Sequence, residues 1–213
     1  MYNDAQVMRR RHFLILPAAT LATGQQREVR VPLRFFTEAE ARIVAAAAAR
    51  IFPADDTGAG ANEAGVVVYI DRQLASGYGR DKYRYTQAPF EDGVAEQGYQ
   101  GRATPRDIYR EGLKPLAGFA DLDPQQQDAR LAEIERSALF QMLRRHTIEG
   151  MFCDPMHGGN RGKVGWQMIG FPGPHMSYLD DIDTHYGQPF RPKPLGIEEV
   201  LGRKVKPSED ETE

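Results

Sequence analysis

DPQQQDARLAEIERSALFQMLRRHTIEG, residues 123–150, is the stretch on which the fold turns. Asp123 before Pro124 places an N-cap ahead of a proline at the first helical position, and Gln126 completes a box-like pattern. Leu131, Ile134, Ala138, Met142 and His146 then recur at helical spacing, and Leu139 and Leu143 widen the stripe. Gly150 is a natural stop. The spacing predicts one continuous helix over Pro124–Glu149, roughly 35–40 Å long at 1.5 Å per residue, as the spine of the domain.

Working outward, Thr104-Pro105 repeats the same start signal and predicts a short helix carrying Ile108, Tyr109 and Leu113, broken by Pro115. Further upstream, Thr37 and Glu40 form a capping box ahead of the run Ala39–Phe52, whose face is Ile43, Val44, Ala47 and Ile51, and Pro53 ends it. ADDTGAG (54–60) is a turn-rich loop. A second helix is predicted from Asn62 or Glu63 to Ala75, with Val67, Ile70 and Leu74 on one face. Val66–Ile70 alone also reads as a buried strand; Glu63, Asp71 and Arg72 at helical spacing favour the helix. Residues 76–103 form a long irregular stretch with Tyr78, Tyr83, Tyr85, Phe90 and Tyr99. Such aromatics pack either on their own domain or on a partner, and the sequence leaves both open.

Downstream of the spine, residues 150–178 are rich in Gly, Pro, Met and aromatics and lose regular periodicity. Beyond Asp180 the chain is Pro-rich and then acidic, ending SEDETE. The fold class expected is mainly α: one irregular helical domain over 25–179, with long ordered loops and extended N- and C-terminal arms. The C-terminal arm comprises residues 180–213.

Composition narrows the function. The 213 residues carry a net charge of −3, with 41% hydrophobic and 27% charged residues, so there is no global basic field for nucleic acid. No apolar run reaches the roughly 18 residues of a membrane span. Cys153 is the sole cysteine, so no internal disulfide forms. In an exported protein a lone cysteine is a buried thiol, a reactive thiol or a bond to another chain.

The N-terminus points to export. Arg10, Arg11, Phe13 and Leu14 make the Arg-Arg-x-Phe-Leu core of a twin-arginine signal, which with the mildly apolar Phe13–Ala22 defines a signal segment over 1–24. A basic start to an ordinary helix is the alternative. No clean cleavage site precedes Gly24. The twin-arginine route carries folded proteins, often with cofactor loaded, yet this chain has no cofactor motif. There is no Rossmann fingerprint, no Cys-x-x-Cys-His for haem and too few cysteines for an iron–sulfur cluster. That mismatch suggests a partner that holds the cofactor.

Local chemistry is sparse. His146 and Glu149 stand at i, i+3, with Asp154 and His157 beyond. A His146/Glu149/His157 metal site in a periplasmic enzyme is one reading. The ligand set is incomplete, and a buried polar network at the helix end is the other. HGGNRGK (157–163) resembles a phosphate loop but has His157 in place of its first glycine and Val164 in place of Ser or Thr. Arg161, Lys163 and Trp166 are residue types that anchor interfaces. Cys153 lies near His146 and His157 in sequence, but no nucleophile elbow surrounds it.

FPADDTGAGANEAGVVVYIDRQL (52–74), YREGL (109–113) and HTIEGMFCDPMHGGNRGKVGWQMIGFPG (146–173) resemble the gluconate 2-dehydrogenase subunit 3 family. The resemblance covers about residues 35–179 in three blocks, the last long and unusual in composition. It implies a non-catalytic small subunit with no cofactor of its own. FAD would sit in a large subunit resembling the glucose–methanol–choline flavoproteins, and haem c in a multihaem cytochrome c subunit that often completes such complexes. The small subunit would aid folding of the large one and carry it through the twin-arginine translocase to the periplasm, where the complex associates with the cytoplasmic membrane. Under this resemblance Cys153, His157, Arg161, Lys163, Trp166 and Phe171 are the expected partner interface, and Cys153 is a candidate for a disulfide to the large subunit. The substrate, a sugar or glycoside, would be chosen by the partner.

Overall fold

The computed structural model describes residues 32–82, 84, 89, 93–97, 101–175, 177–190 and 192–202. The signal segment 1–24, with Arg10, Arg11, Phe13 and Leu14, lies outside the described residues, as do Tyr83, Tyr85, Phe90, Tyr99 and the acidic tip. The described residues are helical, as expected, with one isolated antiparallel bridge between Asp55 and Gly58. Five helices build the core: α1 (Glu38–Ile51), α2 (Val66–Ala75), α3 (Pro105–Leu113), α4 (Pro124–Glu133) and α5 (Ala138–Phe152). Three shorter ones follow: α6 (Val164–Ile169), α7 (Leu179–Thr184) and α8 (Ile197–Val200).

The start signals act as read. Thr37, Thr104 and Asp123 each close a capping box on the residue three places on, satisfying N–H groups that the first turn leaves without helical partners. The 66–70 ambiguity resolves as helix, with Val66, Tyr69, Ile70, Asp71 and Leu74 buried. Gly65 in the left-handed region caps it, and the helix starts at Val66, three or four residues later than expected.

The single spine is corrected. The chain breaks between α4 and α5, where Ile134 leaves the helix and Ser137 adopts an extended backbone. Ser137 Oγ accepts from the Phe140 amide at 3.1 Å, so this serine caps a new helix where periodicity implied continuation. The second half then overruns its predicted stop. Gly150 stays helical and buried, and a Cβ there would stand 3.1 Å from Tyr69 and 3.2 Å from Val66. Its missing side chain lets α2 lie close against α5, which also packs on α1, α3 and α6.

Val44, Ile70, Leu74, Tyr109, Leu143 and Met151 fill the space between these helices. One buried carboxylate joins them. Asp71 of α2 accepts from the backbone N–H groups of Arg34 (2.7 Å), Phe35 (2.9 Å) and Phe36 (2.8 Å). It thereby fixes the extended lead into α1 on top of α2, and Phe36 drops into the core beside Tyr109.

Candidate functional site

Two places hold concentrated polar structure. The first surrounds His146, fully buried on the inner face of α5. Its Nε2 lies 2.7 Å from the Tyr78 hydroxyl and its Nδ1 2.9 Å from that of Tyr109, whose ring stacks on it. Tyr109 is also fully buried, so its hydroxyl proton must be donated within this network. Nδ1 is therefore the acceptor and Nε2–H donates to Tyr78, which also accepts from Arg145 at 2.9 Å. Burial, with the Arg145 charge beside it, holds His146 down to about 4. Nearby, Tyr69 donates to Glu149 at 3.0 Å, and Glu149 pairs with Arg145 at 3.6 Å. Burial, reinforced by that carboxylate, pushes the Tyr69 phenol up.

This is the buried network at the helix end that the sequence allowed, and it does not bring His146, Glu149 and His157 together. Both ring nitrogens of His146 are engaged by tyrosines, Glu149 is held by Tyr69 and Arg145, and His157 is exposed on the loop after α5. Among the described residues no three His, Cys, Asp or Glu side chains gather as metal ligands. Tyr78, Arg145 and Glu149 line a cleft of about 880 Å³ together with Ile108, Met142 and Ile148.

The second place is the turn 153–166. Asn160 is fully buried with left-handed backbone (φ 45°). Its side chain donates to the Cys153 carbonyl at 2.9 Å and accepts from the Gly165 amide at 2.9 Å, while its own amide reaches the Gly150 carbonyl at 2.7 Å. The string that looked like a failed phosphate loop is a turn wound around this asparagine. Sequence reading missed Asn160 and Asp71. A lone acid on the Ile70/Leu74 side of an apolar helix, and an asparagine where the backbone must turn left-handed, were the available signals.

The expected interface residues divide. Trp166 is buried, donating to the Phe152 carbonyl at 2.7 Å, with its indole edge against Phe171 at 5.1 Å. As a buried side chain it anchors its own domain. Lys163 is also turned to internal use, in an ion pair with Glu199 of α8. His157, Arg161 and Phe171 are exposed. Cys153 is half-buried at the C-cap of α5, and burial pushes its thiol up to about 11.

Around this turn the surface is unusual. Of the twelve large hydrophobic side chains exposed among the described residues, ten lie between Met156 and Leu201. Scattered exposed apolars are ordinary; here most of them fall within one segment of the chain.

A family model described as gluconate 2-dehydrogenase subunit 3 matches residues 38–173, more than half of the chain. No curated protein and no solved structure matches it. The chain belongs to the gluconate 2-dehydrogenase subunit 3 family, and the family's description implies partner subunits.

Proposed function

We propose that this family member is the non-catalytic small subunit of a periplasmic, membrane-associated, FAD-dependent sugar or glycoside dehydrogenase. It aids folding and stability of a glucose–methanol–choline-like large subunit, which holds the FAD. The Arg10-Arg11 signal takes the pair through the twin-arginine translocase. A multihaem cytochrome c subunit is a further partner for electron exit. The observation that carries this reading is the segregation of exposed apolar side chains into residues 156–201, on a chain whose helical core is otherwise closed. A surface of that kind is what an obligate partner covers.

The experiment is co-expression with the large flavoprotein subunit, purified through a tag on this chain. Expected are a stoichiometric complex with flavin absorbance, dehydrogenase activity in the complex, and none in this chain alone. A chain that purifies by itself, stable and active, overturns the reading. A Cys153 disulfide to the large subunit belongs to the same proposal. Two thiols would pass two electrons and two protons to the compartment's thiol oxidant. Non-reducing electrophoresis of the complex should give one band at the combined mass; separate subunit bands refute the bond.

A further inference from the structure

The exposed apolar side chains are not spread evenly along 156–201. Tyr178, Leu179, Ile182, Tyr186 and Phe190 all stand between Gly173 and Pro194, and Leu179, Ile182 and Tyr186 are 73%, 57% and 86% exposed. Leu179 and Ile182 share one face of α7 at i, i+3, and Tyr186 follows just beyond its end.

The two feet of this excursion are fixed. The Leu195 amide donates to the Pro172 carbonyl at 3.1 Å. Gly173 has φ +89°, and a Cβ there would stand 1.9 Å from the Leu195 carbonyl oxygen, so only glycine permits the crossing. Just outside, the Ile197 amide donates to Asp154 Oδ2 at 2.8 Å, and Lys163 pairs with Glu199. The ties end on the turn wound around Asn160. A segment closed at its base has already lost much of the freedom that binding would otherwise remove.

We propose that residues 173–194 are a preset docking loop that inserts Leu179, Ile182 and Tyr186 into an apolar groove of the flavoprotein large subunit, rimmed by basic side chains. This rests on the proposed function above. The charge pattern argues for the occupant: α7 places Asp181 and Asp183 beside the apolar side chains, with Lys193 back at the foot of the loop; an anionic membrane surface repels such a carboxylate tip and a Lys- or Arg-rimmed groove attracts it.

The test uses the full chain co-expressed with its large subunit. The triple variant Leu179→Asp, Ile182→Asp, Tyr186→Asp should recover at least ten-fold less flavoprotein per small subunit, with unchanged thermal unfolding. Asp181→Lys with Asp183→Lys should lower recovery several-fold, and less so at high salt. If the wild-type chain recovers no flavoprotein, the proposed function itself fails. If wild type and the triple variant recover it equally, the docking loop is overturned while the subunit reading stands. Loop-dependent self-association of the lone chain, or loop-dependent flotation with anionic vesicles, also overturns it, in favour of a second copy or a membrane.

Discussion

Residues 32–152 and residues 154–202 solve opposite problems with similar side chains. In the first region large apolar groups go inward, and the polar groups buried with them are matched: Asp71 by three backbone amides, His146 by two tyrosines. Val94 and Ile148 are its exposed large hydrophobics among the described residues. In the second region the buried polar residue, Asn160, shapes a turn, and beyond it most large apolar groups face outward, Trp166 excepted. Stability is thus concentrated in the first region and, under the proposed function, association in the second. Mutations should separate the two.

The largest effect expected is at Asp71. Asp71→Ala leaves the amides of Arg34, Phe35 and Phe36 facing the void of a lost carboxylate. Removing a charged acceptor costs about 1–3 kcal/mol per buried donor and less for the part-buried ones, so a loss of about 4 kcal/mol is expected in urea unfolding. A loss under about 1 kcal/mol would mean that the lead into α1 contributes little to the closed core. Asp71→Asn recovers only part, because an amide has one acceptor oxygen in place of two.

Acid should come next. His146 titrates at about 4 in the folded chain because burial and Arg145 disfavour its cation, whereas in the unfolded chain it titrates near 6.5. Between those values the unfolded state binds more protons, so stability is fully present above pH 6.5 and is lost as pH falls towards 4. The loss reaches about 3 kcal/mol at the lower end. Chemical unfolding across that window checks it, with His146→Gln as the comparison; equal slopes in both proteins would remove His146 as the cause.

These two residues also show what the sequence can and cannot carry. Helix starts were legible because Thr37, Thr104 and Asp123 act on their own next turn, a local event. The break at Ser137 was hidden by an apolar stripe that runs through both α4 and α5, since periodicity registers a face and not a cap. His146 was visible as a candidate, but Tyr78 and Tyr109 lie 68 and 37 residues away, so its partners were not. Residue type alone did not show that Trp166 and Lys163 also have work inside the domain: Trp166 bonds the Phe152 carbonyl and Lys163 pairs with Glu199, partners 14 and 36 residues away.

Asn160 is where the two regions meet, and its effect should be intermediate. Asn160→Ala removes two side-chain hydrogen bonds and puts a Cβ residue without local compensation at φ 45°. Asn160→Gly removes the same bonds but tolerates the backbone. Alanine should cost about 3 kcal/mol and glycine about 2, the difference being the left-handed penalty. Hydrogen exchange should show the loss first at Gly165. Protection there equal to wild type would mean that the turn holds without its asparagine.

The smallest stability effects belong to the outward side chains, and there the comparison is most exposed to refutation. Tyr186→Ser and Leu179→Ser remove large apolar groups that water already reaches. Surface changes of this kind normally stay within about 0.5 kcal/mol. The lone chain should therefore unfold at unchanged urea concentration, or become more soluble, while recovery of the flavoprotein falls. A destabilisation above about 1.5 kcal/mol in the isolated chain would show that these side chains support their own domain. The division between a closed core and a displayed surface would then collapse, because one set of residues would be holding both.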